Sequence, residues 1–155
     1  PMVKPDTYTV RLIAGDSIMA HSFELQVDPR VLAGGTTLDD ISEQVDLQLE
    51  ITKLLSSARR LEDVLDNEQE ELEELKTKTG LSAQQQERLE SVYSVLSALQ
   101  TPEGIYMEPM LTAQISYLYN MINAADQAPG QEAESRFAEL TRQYQALTAE
   151  DTGAD

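Results

Sequence analysis

The densest run of side chains that could bind a metal ion is acidic. It consists of Glu68, Glu70, Glu71, Glu73 and Glu74. On a helix, carboxylates three or four residues apart share one face and could bind a divalent cation. Calcium loops of the common helix–loop–helix type need alternating Asp or Asn and a glycine turn, which this run lacks. We therefore interpret the run as a solvated helix face, and the sequence predicts no metal site and no cofactor.

The residues that could act as a general base or a nucleophile stand apart from one another. His21 is the only histidine, and it lies beside Ser22 at the start of a predicted strand. A general base needs a partner held at fixed geometry, and no such group surrounds it in the sequence. Ser56 and Ser57 lie on a predicted helix without a histidine. The sequence therefore predicts no catalytic residue and no hydrolase activity for this chain.

Tyrosine and methionine residues concentrate around one predicted helix and the loop before it. The set comprises Tyr106, Met107, Met110, Tyr117, Tyr119 and Met121. Such side chains are favoured at contact surfaces because they offer large areas with adaptable geometry. They are also suited to closing the end of a helical core. We interpret the set first as core packing at the end of the bundle, and we keep it as a candidate partner surface in the alternative.

Helices must position these residues, because apolar side chains recur three and four apart in four segments. The longest stripe runs over residues 47–75, and the others run over 89–99, 111–125 and 133–147. This spacing places each stripe on one face of an α-helix. Four stripes joined by short breaks predict a mainly α fold, an antiparallel four-helix bundle with a very long first helix.

Capping signals predict where these helices begin and end. Thr37 is the predicted N-cap of the first helix, which ends before Gly80. A capping box that starts at Ser82 opens the second helix. The third and fourth helices are predicted to begin at Pro109 and Pro129, because proline suits the first helical position.

A β-hairpin is predicted ahead of the helices. Apolar and polar residues alternate over 7–13 and 23–27, with a turn signal at Gly15-Asp16 between them. We expect the hairpin to be an exposed remnant of a larger sheet, because helices could cover its apolar face but could not bond its outer edges. The predicted apolar face consists of Tyr8, Val10, Leu12, Phe23, Leu25 and Val27.

Domain boundaries and charge restrict the possible partners. We predict a hairpin ending a truncated β-domain over residues 1–33, a helical bundle over 34–148, and a disordered acidic tail over 149–155. The net charge of −17 repels nucleic-acid phosphate and anionic lipid. No apolar run approaches the roughly 20 residues of a membrane-spanning helix. The sequence therefore predicts no nucleic-acid partner and no membrane insertion.

Three stretches of the chain resemble one group of bacterial proteins. They are the strand residues 8–12, the phrase Asp28-Pro29-Arg30 that leads into a long helix, and the stretch 109–129. The group consists of large secreted proteins with N-terminal BNR-type or sortilin-like (VPS10) β-propellers, often labelled glycosyl hydrolases. The resemblance implies an extracytoplasmic C-terminal region whose partner is the preceding β-domain or propeller. Any sugar chemistry would lie in the absent propeller, so no catalytic residue carries over.

We therefore interpret the chain as a non-catalytic structural or protein-interaction module, the C-terminal part of a larger secreted β-propeller protein. Two alternatives stay open. The apolar seam over residues 47–75 could pair with a second copy, which would make the chain a self-associating coiled-coil module. The family label also allows an accessory region of a glycoside hydrolase whose active site lies in the propeller.

Overall fold

The computed structural model describes residues 3–152, which form a two-stranded hairpin followed by helices. The mainly helical fold with an N-terminal hairpin and one very long helix agrees with the sequence prediction. The strands are β1 (Asp6–Ala14) and β2 (Ser17–Leu25), and the helices are α1 (Pro29–Ala33), α2 (Leu38–Lys78), α3 (Ala83–Leu99), α4 (Leu111–Ile122) and α5 (Gln131–Thr152).

The hairpin is antiparallel and closes through the predicted two-residue turn. Ala14 pairs with Ser17, and the register continues to Asp6 opposite Leu25. Gly15 adopts φ +59°, the left-handed value that a glycine at the first loop position of a type II′ turn supplies. Val27 lies beyond the end of β2, so it is not part of the sheet face predicted for it.

The ends of α2 and the start of α3 lie where the capping signals placed them. The Thr37 side chain accepts a hydrogen bond from the Asp40 N–H, and the Asp40 side chain accepts one from the Thr37 N–H. Ser82 and Gln85 form the same reciprocal arrangement at the start of α3. Gly80, with φ +81°, lies between the two helices. These local hydrogen bonds explain why these boundaries are readable from the sequence.

The predicted start of the third helix at Pro109 is wrong by two residues. The Met110 N–H donates to Thr101 Oγ1 at 2.9 Å, and Met110 is an extended N-cap with ψ 179°. Helix α4 therefore begins only at Leu111. Helix α5 likewise begins at Gln131 and not at Pro129, because the Gly130 carbonyl accepts the first backbone hydrogen bond, from the Ala133 N–H.

Two further regions differ from the sequence prediction. The phrase after the hairpin forms the short helix α1, because the Asp28 side chain accepts a hydrogen bond from the Arg30 N–H and Pro29 supplies a helical φ. Helix α5 extends through Thr152, so residues 149–152 of the predicted disordered tail are helical. Residues 153–155 of that tail lie outside the described residues.

Helices α3 and α4 pack against different parts of the long helix α2. On its C-terminal half, Glu68 pairs with Arg88 of α3. Nearer its middle, Glu62 accepts a hydrogen bond from Thr112 at the start of α4. Gln44, near its N-terminal end, bonds the carbonyl of Ile122 at the end of α4. Helix α4 therefore runs antiparallel to α2, and α5 packs against α4 and also contacts α2 and α3.

The core forms where the apolar stripes of these four helices meet. Its fully enclosed members include Ile51, Ala58, Leu65, Val92, Leu99, Ile115 and Leu140. Leu65 is fully buried, whereas Leu61 is only half-buried. Because every one of the four helices contributes, the long α2 helix is stabilised mainly by tertiary packing.

A buried glutamine closes the C-terminal end of α4. Gln44 Nε2 donates to the carbonyl oxygens of Ile122 and Ala125, both at 2.6 Å. Carbonyls at a helix C-terminus have no partner within the helix, so the Gln44 amide supplies the missing donors. Its own Oε1 is buried without a hydrogen-bond partner.

Candidate interaction surfaces

The six tyrosine and methionine residues of the predicted partner surface do not form one patch. Tyr117 and Met121 line a groove between α4 and α5. Met110 lines a second groove of about 480 Å³ where α3, α4 and α5 meet. Tyr119 packs against the core, as the core-packing interpretation required. The sequence could not separate these positions, because the helix axis and its neighbours decide which of them point inward.

Tyr106 and Met107 lie in the loop between α3 and α4. Tyr106 is fully exposed and adopts φ +61°, which is uncommon for a non-glycine residue. Met107 folds back towards Gly104, where a Cβ would lie 3.0 Å from the methionine side chain. The loop thus presents an aromatic side chain to solvent, apart from the groove on α4 and α5.

The groove between α4 and α5 has a volume of about 550 Å³ and mostly apolar walls. Its apolar wall residues are Pro109, Ala113, Tyr117, Leu118, Met121 and Ala133. The cation at its rim is Arg136, which donates to Glu139 at 2.8 Å and to Gln114 Oε1 at 2.7 Å. The polar groups of the lining are the side chains of Gln114, Glu132 and Arg136 and the hydroxyl of Tyr117, so the groove combines an apolar wall with a polar rim.

The hairpin exposes many large apolar side chains. No Cα atom of either strand lies within 8 Å of a helix residue in the described part of the chain. The helices therefore do not cover its apolar face, because their own stripes face one another. Near the turn, Leu12 and Ile13 are 54% and 64% exposed, and Ile18 and Met19 are 65% and 61% exposed.

The two faces of the hairpin differ along its length. One face is mainly apolar, with Leu12 opposite Met19, Val10 opposite the polar His21, and Tyr8 packed on Phe23 at a ring separation of 6.1 Å. These pairings follow from the register, and they add Met19 and His21 to the predicted face.

The other face is polar at the base and apolar at the turn. The hydroxyls of Thr9 and Ser22 are hydrogen-bonded at 3.0 Å, and Ile13 lies opposite Ile18. The turn end is therefore apolar on both faces.

Among residues 3–152, the hairpin meets the helices only at its base. Lys4, ahead of β1, pairs with Asp46 of α2 at 2.6 Å. The Tyr8 hydroxyl donates to the Lys4 carbonyl at 2.7 Å. A cleft of about 390 Å³ separates the ends of the strands from α1 and the start of α2. The hairpin thus projects from the helical body.

The acidic run serves structural contacts. Glu68 accepts two hydrogen bonds of 2.7 Å from Arg88 on α3, so this member of the run is not simply part of a solvated face. Glu73 accepts hydrogen bonds from Tyr93 and Gln69. Within residues 3–149, no three His, Cys, Asp or Glu side chains are grouped to hold a metal ion.

His21 lies in the hairpin, whereas Ser56 and Ser57 lie on α2. His21 lies within β2 opposite Val10 on an exposed strand. Ser56 Oγ donates to the Thr52 carbonyl at 2.7 Å, and Ser57 Oγ accepts a bond from Arg60 at 3.4 Å. These contacts bind the serine hydroxyls to their own helix.

The ion pair between Glu68 and Arg88 predicts a dependence of stability on pH. Hydrogen bonds from Arg88 lower the pKa of Glu68 below its ordinary value, against the opposing effect of partial burial. The stabilisation is therefore present above the unfolded pKa and is lost as pH falls through the folded pKa. We expect Glu68→Gln to lower the free energy of unfolding by about 0.5–1 kcal/mol at neutral pH.

Urea unfolding at pH 7 and pH 3 measures this effect. The difference between Glu68→Gln and the unmodified chain should shrink at the lower pH. Glu70→Gln, at an exposed position on the same helix, is the control and should change stability little at either pH. A difference for Glu68→Gln that stays constant with pH would contradict the assignment.

Comparison with known proteins identifies no family for this chain. No protein-family model, curated protein or solved structure matches the chain. Within residues 3–152, no helix is both long enough and apolar enough to cross a membrane.

Proposed function

We propose that the chain is a non-catalytic structural and protein-interaction module. Its hairpin attaches the module to a β-domain. The observation that supports this is the exposure of apolar side chains on both faces of the hairpin turn end, at Leu12, Ile13, Ile18 and Met19. A lone two-stranded hairpin is marginal in water. Burial of these side chains gains about 25 cal/mol for each Å² of apolar surface, so a β-domain that encloses them stabilises the hairpin.

The proposed partner is the β-domain or propeller that precedes this chain in a secreted polypeptide. The resemblance of residues 8–12 and 28–30 to the junction in sortilin-like propeller proteins supports this choice. In the proposal, α2 to α5 act as an antiparallel four-helix bundle over residues 34–148, and the hairpin over residues 1–33 attaches it. Sugar chemistry, if the parent performs it, belongs to the propeller.

Self-association through the α2 seam is less well supported. Ile51, Ala58 and Leu65 of that seam are already enclosed by the other helices. A coiled coil through these residues would have to open the core. Light scattering across a dilution series tests this rival, since the proposed module is expected to stay monomeric without its partner domain.

Leu12→Ala tests the proposed attachment. In the 155-residue chain Leu12 is exposed, so the substitution should change the free energy of unfolding by less than about 0.5 kcal/mol. In a longer polypeptide with the residues encoded ahead of Pro1, Leu12 becomes a buried leucine and the loss should reach about 2–5 kcal/mol. Thermal unfolding of both lengths provides the measurement.

Val64→Ala is the matched control for that experiment. Val64 is 61% exposed on α2, away from the proposed contact, so its replacement should have a small effect at both lengths. Equal small effects of Leu12→Ala at both lengths would refute attachment through the hairpin.

A further inference from the structure

The two edges of the hairpin are not equivalent as sites for another strand. A two-residue turn makes Ala14 and Ser17 a hydrogen-bonded pair, so every second pair along the ladder is non-hydrogen-bonded and points its backbone groups outward. The Thr7 N–H donates to the Asp6 side chain at 2.7 Å, which agrees with an outward direction at that position. The remaining outward positions are Thr9, Arg11 and Ile13 on β1, and Ile18, Ala20, Ser22 and Glu24 on β2.

Side-chain type favours β1 as the paired edge. Thr9 and Ile13 are β-branched, which suits a strand with neighbours on both sides. On β2, Ile18 is also β-branched, but Ala20, Ser22 and Glu24 are residue types that are depleted or neutral in strands. Strand β2 therefore has the composition of an outer strand, and β1 that of an inner one.

Charge and chain order favour the same edge. Arg11 is exposed, and no hydrogen bond or ion pair is found for it within the described residues. A carboxylate directly across on a neighbouring strand would complement it. Strands adjacent in sequence are usually neighbours in a sheet. Helix α1 follows β2, so the sequence neighbour that could be a strand is the segment ahead of β1.

We infer that a strand of the β-domain encoded ahead of this chain pairs with the outer edge of β1 at residues 9–13, with an acidic side chain facing Arg11. The inference rests on the proposed function and specifies the contact that it requires. Strand β2 then forms the free edge of the completed sheet, and the apolar face of the hairpin contacts the interior of the β-domain.

Residue-resolved hydrogen exchange compares the 155-residue chain with the longer polypeptide that includes the residues encoded ahead of Pro1. In the dilute 155-residue chain, outward amides on both strands should exchange rapidly. In the longer polypeptide, the amides of Thr9, Arg11 and Ile13 should slow by roughly 100-fold or more. Those of Ala20 and Ser22 should remain fast.

Thr9→Pro and Ser22→Pro form a matched pair of variants of the longer polypeptide. Each removes one outward N–H, and each removes the hydroxyl contact between Thr9 and Ser22. Proline is tolerated at an edge where the N–H faces solvent. Thr9→Pro should therefore return the amides of Arg11 and Ile13 to fast exchange, whereas Ser22→Pro should leave them slow.

The outcomes separate this inference from the proposed function. Slow exchange at Ala20 and Ser22, with Thr9 and Arg11 fast, would overturn the pairing with β1 and keep the attachment. Fast exchange at both edges of the longer polypeptide would overturn the pairing, and it would overturn the attachment as well only if Leu12→Ala also had a small effect in the longer polypeptide. Protection of the β1 edge that appears in the 155-residue chain as its concentration rises, with dimers in light scattering, would identify a second copy as the partner and overturn the inference.

Discussion

Replacing Leu65 with alanine is expected to lower the free energy of unfolding by about 2–5 kcal/mol. Leu65 is fully buried in the shared core of the helices. The substitution removes apolar contacts and leaves a cavity that the rigid α2 helix cannot close. Urea or thermal unfolding of the 155-residue chain measures the loss.

The adjacent Val64 provides the control, because it is 61% exposed on the same helix. Val64→Ala should change the free energy of unfolding by less than about 0.5 kcal/mol. Leu61→Ala should cost less than Leu65→Ala, since Leu61 is only half-buried. Equal losses at Leu65 and Val64 would show that this part of α2 is not packed as described.

Gln44→Glu is also expected to lower the free energy of unfolding by a large amount. The substitution replaces the two donors to Ile122 O and Ala125 O with a carboxylate facing two carbonyl oxygens. The C-terminus of α4 also carries partial negative charge. An uncompensated charge at this buried position should cost about 3–5 kcal/mol at neutral pH.

The pH dependence of the stability of Gln44→Glu shows whether the buried charge causes the destabilisation. Burial raises the pKa of a carboxyl group in the folded protein, so the destabilisation should be fully present above that raised pKa. It should be relieved as pH falls from the folded pKa to the unfolded pKa. Gln44→Leu, which introduces no charge, should lose less at neutral pH and show no such relief. Gln84→Glu, at an exposed position of α3, is the control for the charge change.

Local sequence signals predicted well where the helices begin and end. They predicted the contacts between the helices less well. The capping boxes at Thr37 and Ser82 involve residues within one turn, so they are legible in the sequence. The shift from Pro109 to Leu111 came from a hydrogen bond to Thr101, nine residues away. Likewise, the periodicity of α2 reveals an apolar stripe. It does not reveal that α3 and α4 pack against different parts of that stripe.

The candidate surface was less predictable for the same reason. Composition drew attention to Tyr106, Tyr117 and Tyr119, yet one lies in a loop, one lines a groove and one packs on the core. The exposure of the hairpin was expected from its unpaired edges. The apolar pair Ile13 and Ile18 on its second face was missed, although counting across the two-residue turn would have placed them opposite each other.

The division of α2 between two partners has a consequence for the order of folding. Contacts between the C-terminal half of α2 and α3 join residues close in sequence, as between Glu68 and Arg88. Contacts of its N-terminal half span far longer loops, as from Gln44 to Ile122. Because short loops close at lower entropic cost, we expect the α2–α3 helical hairpin to form first and to template the later docking of α4 and α5.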